Sequence, residues 1–289
     1  MNGRFTNFIL ILALLIGLSL LLYPTTANWW NELHQATAIT LYSEKVSAID
    51  AETYKRLMAE AAAYNGSLLT NELRWYPTES ETEAYKAILN VDPSLVMGRI
   101  DIPSIDVSLP VYHTVEEPVL QRGVGHLEGS SLPVGGEGTH CVLTGHRGLP
   151  SALLFTHLDK VTVGDVFTLT VLDEVLSYEV DRILIVEPQE VAALAIEEGA
   201  DLCTLVTCTP YAVNSHRLLV RGHRVANKAI HEVRVSSDAA QIAPTIIAPF
   251  IALLLLLLLL AWLLFTTRRR RRVGEDFDVP RPDDFDFDE

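Results

Sequence analysis

The sequence predicts a mainly β fold, a closed barrel with short helices, preceded by a helical segment and followed by a transmembrane helix. A series of short apolar runs, separated by turn residues, lies between residues 99 and 220. A helical periodicity precedes these runs, and a long apolar stretch occupies each end of the chain. Many short strands at this spacing are typical of a closed barrel or a sandwich.

The chain begins with an apolar stretch, residues 8–23, behind a short start that carries Arg4. Residues 1–27 are interpreted as an uncleaved signal anchor or as a signal peptide cleaved after its small residues. In residues 28–95, apolar side chains recur at steps of three and four up to Tyr64, which predicts a long helix. The rest of this segment is a polar stretch with a short helix near residues 85–89.

Residues 96–227 are predicted to form the barrel. A chain of 289 residues has room for one domain of this size together with membrane segments. The runs are bounded by residue types that favour turns. The predicted strands are residues 99–102, 105–111, 141–143, 166–172, 177–186, 202–208 and 218–220.

The end of the chain predicts a membrane crossing. Residues 228–245 form a linker, and residues 246–267 are apolar over a length that spans a bilayer. Residues 268–289 begin with consecutive arginines, which mark the cytoplasmic side, and continue as an acidic tail that is expected to be disordered. This topology places the barrel outside the cytoplasm. The net charge of −15 disfavours nucleic acid as a partner.

Cys208 is the candidate nucleophile. It ends the predicted strand 202–208, and Pro210 prevents the ladder from continuing. The next strand begins with Arg217, so a hairpin would place the thiol opposite a guanidinium. A nucleophile beside a fixed hydrogen-bond donor is half of an acyl-transfer site.

His146 is the candidate base. It follows the short predicted strand 141–143 and lies between Gly145 and Arg147–Gly148, where a scaffold meets a loop. Other histidines lie near the same motifs, and composition does not choose between them: His126, His140, His157, His216 and His223.

Separated motifs resemble those of the sortases. Residues 204–208, TLVTC, match the TLxTC signature of that family, and Arg217 follows at the family's spacing from the cysteine. Residues 123–127 (GVGHL) and 143–150 (LTGHRGLP) look like those of the class C, pilus-assembling branch. The resemblance covers roughly residues 97–224, and it singles out His146 among the histidines and Arg217 over Arg221 and Arg224.

The resemblance implies a membrane-anchored cysteine transpeptidase with a sortase-like barrel. Cys208 would attack an LPxTG-type sorting signal, His146 would move the proton, Arg217 would steady the oxyanion, and Thr207 would contact substrate. A lysine amine of another pilin would then resolve the thioacyl intermediate. Attachment of surface proteins to cell-wall peptide stays open, as does a non-catalytic pilus-assembly scaffold. The expected location is the membrane of a Gram-positive-type bacterium.

The resemblance also implies a lid before the barrel, in which an Asp-Pro-aromatic motif covers the site. Here the sequence departs from the family. Residues 74–77, RWYP, have aromatics and a proline but no acid, whereas residues 92–94, DPS, have no aromatic. Trp75 and Tyr76 are the candidates to plug the cleft.

The other two cysteines are expected to be structural. Cys203 lies five residues before Cys208 and points to the opposite face of a regular strand. Cys141 lies five residues before His146, so the two thiols are neighbours if the strands pair in register. We expect both to be reduced, with a disulfide as the alternative on the oxidising side of the membrane. No cofactor is expected. No metal is expected either, because the candidate ligand set lacks the pair spacing of structural zinc sites: Cys203, Cys208, His216 and His223.

Overall fold

The computed structural model describes residues 3–91, 93–227, 254 and 256–257. The described chain has four α-helices and eight β-strands. In order these are α1 (Gly3–Ser47), α2 (Ala51–Leu68), α3 (Glu79–Ala87), β1 (Val96–Ile102), β2 (Val107–His113), α4 (Glu117–Leu120), β3 (Val124–His126), β4 (Thr139–Thr144), β5 (Val166–Val171), β6 (Glu174–Val186), β7 (Asp201–Thr209) and β8 (His216–Val225).

The strands close into a barrel in the order β1-β2-β3-β4-β7-β8-β6-β5. Strand β1 completes the ring by pairing with β5. The β2–β3 and β4–β7 pairs are parallel, and the other pairs are antiparallel. The prediction of a mainly β closed barrel is therefore confirmed. Because β4 and β7 are parallel neighbours, both reach the same rim with their carboxyl ends.

The helices before the barrel differ from their predicted bounds. The expected helix of residues 28–64 is two helices, because Asp50 begins α2 by accepting a hydrogen bond from the Thr53 amide. Helix α2 continues past the predicted stop at Asn65, whose side chain instead pairs with the backbone N–H and C=O of Leu132. A tertiary contact thus uses the residue that was expected to end the helix.

Helices α2 and α3 cover part of the barrel core. Leu57 and Ala61 of α2 and Tyr85 of α3 are buried against barrel side chains such as Leu143 and Leu205. Thr78 caps α3 in a reciprocal pair with Glu81. Such a capping box satisfies two backbone donors and fixes where the helix begins.

The sequence analysis missed β3. The central residue of this three-residue strand is Gly125, where an added Cβ would lie 2.2 Å from the carbonyl oxygen of Thr114. Glycine is needed here for the close approach of two backbone segments. A strand this short does not show an alternating pattern, so its pairing with β2 and β4 has no local signal.

Two units make up the described chain. Residues up to Thr25, with Leu254, Leu256 and Leu257, belong to the first unit, and residues 26–227 belong to the second. Within the described residues, one helical segment, Ile11–Ser47 of α1, is long and apolar enough to cross a membrane. Leu254, Leu256 and Leu257 are helical. The rest of the predicted C-terminal transmembrane helix, the linker and the tail lie outside the described residues.

Candidate active site

The parallel pair β4–β7 brings His146 level with Cys208. Thr144 pairs with Val206 at the end of β4, and the Gly145 amide donates to the Val206 carbonyl oxygen over 3.0 Å. Continuing this register by two residues aligns His146 with Cys208. Residues two apart share one face of a strand, so both lie on the face that carries Thr144 and Val206.

The antiparallel pair β7–β8 places Arg217 on the other side of Cys208. The two residues are direct partners in the register, which confirms the predicted hairpin. Next to them, Val206 pairs with Leu219, and both belong to an apolar cluster outside the barrel core. His146, Cys208 and Arg217 therefore form a row across three neighbouring chain segments on the outer face. The row contains a thiol, an imidazole and a guanidinium.

Residues on the opposite face of these strands fill the barrel. Leu143, Leu205 and Val220 are buried in the main core cluster. Thr207 belongs to this face, because its side chain is buried and its hydroxyl donates to the Gly145 carbonyl oxygen over 2.8 Å. The hydroxyl faces inward and secures the backbone beside His146, and the contact of Thr207 with substrate stays a prediction.

His146 has an acidic neighbour that the sequence analysis did not predict. Its Nε2 lies 3.2 Å from Oε2 of Glu117 in α4, which leaves Nδ1 as the nitrogen not engaged by that carboxylate. Hydrogen bonds from Gln121 and then from His146 lower the pKa of Glu117. The contact joins residues 29 positions apart, so no local pattern signals it.

The other histidines near the motifs are unsuited to act as the base. His126 and His140 are buried, and each has both ring nitrogens in hydrogen bonds. His216 is exposed and bonds to Ser215, whereas His223 faces solvent on β8. His157, partly buried, precedes the turn Leu158–Lys160. His146 is the one that the register aligns with Cys208.

Arg217 and Arg221 also differ in what their guanidinium groups contact. Arg221 forms ion pairs with Asp181 at 2.6 Å and with Glu197 at 2.7 Å. Burial raises the pKa of Asp181, but the hydrogen bond from Arg221 and the charges of Arg221 and His223 together outweigh it, so the net shift is downward. Arg217 donates to the backbone oxygens of Asn214 and His216, at 3.3 and 3.1 Å, and lines a cleft. Arg217 is thus the arginine that faces the cleft beside the thiol.

The cleft has a volume of about 430 Å³ and is open to solvent. Its lining includes Thr144, Val206, Leu219 and Arg217, residues 186–191 from the last residue of β6 onward, and Trp75 and Tyr76. The cleft thus combines apolar side chains with a guanidinium, a lining that suits a peptide with its carbonyl groups.

Of the two lid candidates, Trp75 is the one whose side chain packs against other apolar side chains. It lies against the apolar cluster that includes Val206 and Leu219, whereas Tyr76 is 81% exposed. The Arg74 guanidinium lies 4.5 Å from the centre of the Trp75 ring and donates to the Leu194 carbonyl oxygen over 3.3 Å. Arg74 and Trp75 thus connect the segment before α3 to the loop between β6 and β7.

Cys141 and Cys203 are direct partners in the β4–β7 register, which confirms that these thiols are neighbours. Both are free and buried, whereas Cys208 is half-buried. The expected difference in facing between Cys203 and Cys208 is also observed: Cys203 belongs to the barrel core, and Cys208 lies on the outer face.

Comparison with known proteins agrees with this geometry. The family model described as "Sortase domain" matches residues 100–225. Sortase C1 of Streptococcus agalactiae is 49% identical, with a TM-score of 0.64, over 66% of this chain and 99% of that chain. A Streptococcus pneumoniae sortase C, studied for catalysis and pilin substrate specificity, is 46% identical, with a TM-score of 0.59, over 66% of this chain and 97% of that one.

A third solved structure is the sortase C of Clostridium perfringens with the C-terminal cell wall sorting motif. It is 41% identical, with a TM-score of 0.58, over 66% of this chain and 99% of that chain. Among curated proteins, sortase A of Bacillus anthracis is 31% identical over 140 residues, which are 48% of this chain and 65% of the relative. The barrel, the motif match and these identities agree: the three solved structures named above are sortases C, and the chain belongs to the sortase family of cysteine transpeptidases.

Proposed function

We propose that this protein cleaves an LPxTG-like sorting signal and transfers its acyl part to a lysine amine of a pilin subunit. The proposal is supported by the register, in which Cys208 pairs with Arg217 and the β4–β7 pairing leads toward His146, and by the cleft that Arg217 lines.

In the first half-reaction, the Cys208 thiol gives its proton to His146 and its sulfur attacks the threonine carbonyl carbon of the sorting signal. The carbonyl oxygen gains negative charge, and the Arg217 guanidinium stabilises it, because a permanent cation there is worth more in the transition state than in the ground state. The C–N bond to glycine then breaks, and the leaving amine takes a proton from His146. The product is a thioester between Cys208 and the threonine carbonyl.

In the second half-reaction, an acceptor amine attacks that thioester. His146 accepts the proton that the amine loses, the C–S bond breaks, and Cys208 is released. Glu117 is placed to hold the imidazole during both transfers, since it engages Nε2. Lysine of a pilin is the proposed acceptor because the related solved structures are sortases C, one of them studied for pilin substrate specificity.

We propose that the enzyme is held in the membrane at both ends. The apolar part of α1 supports an N-terminal anchor. Residues 246–267, with the arginines that follow, support a second crossing with residues 268–289 in the cytoplasm. The barrel then lies on the outer surface, where sorting signals of exported proteins arrive.

The experiment that tests the reaction is intact-mass analysis of the full chain in detergent after mixing with an LPxTG-type peptide. We expect a mass gain equal to the acyl half of the peptide on wild-type protein and none on Cys208→Ala. Cys203→Ala is the matched control, because its thiol is buried in the core and should leave the adduct unchanged. A folded wild-type protein that forms no adduct with a panel of such peptides would contradict the proposal.

The acceptor is tested by adding amines to the acylated enzyme. Transfer to a pilin lysine supports polymerisation, whereas transfer only to a cell-wall peptide amine identifies wall attachment instead. Pilus assembly that continues in cells carrying Cys208→Ala would favour a non-catalytic scaffold.

A further inference from the structure

The barrel contains two buried cysteines that the proposed transpeptidase reaction does not use. Cys141 and Cys203 are 3% and 0% exposed and lie in the same core cluster. They occupy the row Cys141–Cys203–Gly222 across β4, β7 and β8. Both strands then continue to the active-site row, with His146 five residues after Cys141 and Cys208 five residues after Cys203.

The backbone geometry of this pair matches that of a disulfide. Neighbouring strands lie about 4.8 Å apart, and residues paired in register have side chains on the same face. Disulfides span Cα separations of about 4.4–6.8 Å. The register pairs Cys141 directly with Cys203, and both side chains are buried in the same core cluster.

The two thiols are chemically unequal. Burial raises the pKa of Cys141, but hydrogen bonds from Cys203 and His126 outweigh that effect and lower it. Burial, followed by the bond to Cys141, raises the pKa of Cys203. His126 is itself fixed, with Nδ1 2.8 Å from the Tyr85 hydroxyl and Nε2 2.8 Å from the Ser131 carbonyl oxygen.

We propose that Cys141 and Cys203 are an oxidisable pair that closes into a disulfide between β4 and β7 when the protein folds outside the cytoplasm. This inference rests on the exported location in the proposed function. The crosslink would tie together the two strands that carry His146 and Cys208. The free thiols of the described structure are the reduced form of the same pair.

The oxidant is a disulfide, either oxidised glutathione or an exported thiol–disulfide exchange protein. The Cys141 thiolate attacks one sulfur of that disulfide, forming a mixed disulfide and releasing one thiolate. Cys203 then loses its proton and attacks the Cys141 sulfur, releasing the second thiolate. The cysteine pair loses two electrons and two protons, and the oxidant becomes two thiols. Because both thiols are buried in the folded barrel, the exchange takes place before the barrel closes or while it is open.

The test uses the full chain with Cys208→Ala. The sequence has three cysteines, so this variant retains only the pair. The protein is equilibrated in detergent with mixtures of oxidised and reduced glutathione, at urea concentrations that open the barrel, and is then returned to native conditions. It is next denatured with an alkylating agent and weighed. We expect a species that takes no alkyl group and has lost two hydrogens, and that accepts two alkyl groups after reduction.

Cys141→Ala combined with Cys208→Ala is the matched control, which leaves one thiol and should not form this species. Two alkyl groups on the Cys208→Ala protein at every ratio of the two glutathione forms would overturn the proposal. This readout needs no enzymatic activity, so failure of the peptide-acylation experiment does not affect it.

A second readout distinguishes a native crosslink from a misfolded one. The disulfide closes a loop of about 60 residues, which should raise the thermal midpoint by on the order of 5–15 °C relative to the reduced protein. An oxidised form that melts at or below the midpoint of the reduced form would also overturn the proposal, since the crosslink would then not fit the register of β4 and β7.

Discussion

Arg217 differs from the nearby Arg221 in what its guanidinium contacts. Arg221 is tied to Asp181 and Glu197, whereas Arg217 bonds to backbone oxygens of its own turn and faces the cleft. A planar fork can hold two oxygens at once, and an ammonium group cannot reproduce that geometry. This difference predicts that replacement by lysine reduces catalysis at Arg217 and stability at Arg221.

Arg217→Lys is expected to reduce kcat/KM for an LPxTG-type peptide by about 100-fold or more, the range found when an oxyanion donor is removed. The measurement is peptide cleavage with and without an acceptor amine. Arg221→Lys, the matched control on the same face of β8, should weaken stability while leaving kcat/KM within a few-fold of wild type. Near-normal turnover by the Arg217→Lys variant would exclude the proposed role.

At the scale of elements, two connections hold the loop between β6 and β7. Arg221 of β8 binds Glu197 in that loop and Asp181, which lies where the β6–β8 register shifts. On the other side, Arg74 donates to Leu194, and Trp75 packs against the cluster over the cleft floor. One connection depends on charge and the other on apolar contact, so they respond to different perturbations.

The charged connection predicts a pH dependence of stability. The pKa of Asp181 lies below its ordinary value of 3.8 in the folded protein. Its contribution is therefore fully present above pH 3.8 and is lost as the pH falls through the lowered value. Asp181→Asn should lower the thermal midpoint at neutral pH by about 2–4 °C, the shift for about 1 kcal/mol from a partly exposed pair.

Thermal midpoints measured from pH 7 down to pH 2 check this prediction, because the difference from wild type should shrink below pH 3.8. Asp106→Asn is the control, since Asp106 forms no ion pair among the described residues and its left-handed backbone suits asparagine. A difference that is the same at every pH would show that the Asp181 charge is not responsible.

The apolar connection predicts that Trp75 limits access to Cys208. Trp75→Ala should increase the rate at which a thiol reagent modifies Cys208 several-fold, because it removes the ring that packs on Val206 and Leu219. Tyr76→Ala is the matched control, since Tyr76 is 81% exposed and should change the rate little. The rates are compared in the Cys141→Ala, Cys203→Ala background, so that one thiol is present. Equal rates in both variants would exclude Trp75 as the plug.

At the scale of the whole molecule, the proposed topology places the barrel outside the cell and the end of the chain in the cytoplasm. A peptide tag after Glu289 should resist protease added to intact protoplasts, while Cys208 in the same cells reacts with a membrane-impermeant thiol reagent. Disruption of the membrane should make the tag cleavable, which serves as the control. A tag that is cleaved on intact protoplasts would remove the second membrane crossing from the proposal.

The sequence alone predicts the fold and the candidate site well where a local residue pattern also indicates which strands are neighbours. Short apolar runs bounded by turn residues located most strands. The hairpin expected after Pro210 correctly placed Cys208 opposite Arg217, and in-register pairing correctly placed Cys141 beside Cys203. Glu117 and β3 were missed because their contacts depend on how distant segments meet, and no local residue pattern encodes that.

The parallel pairing of β4 with β7 also determines when the site can exist during folding. The β7–β8 hairpin is a local contact, so Cys208 and Arg217 can meet early. His146 arrives only when two segments separated by about 60 residues come together, and such long-range pairing forms slowly. In the proposed topology, a chain that emerges from the membrane therefore has its reactive thiol before His146 joins it. The proposed acyl transfer then begins only once the barrel has closed, so a partly folded chain would not react with sorting signals.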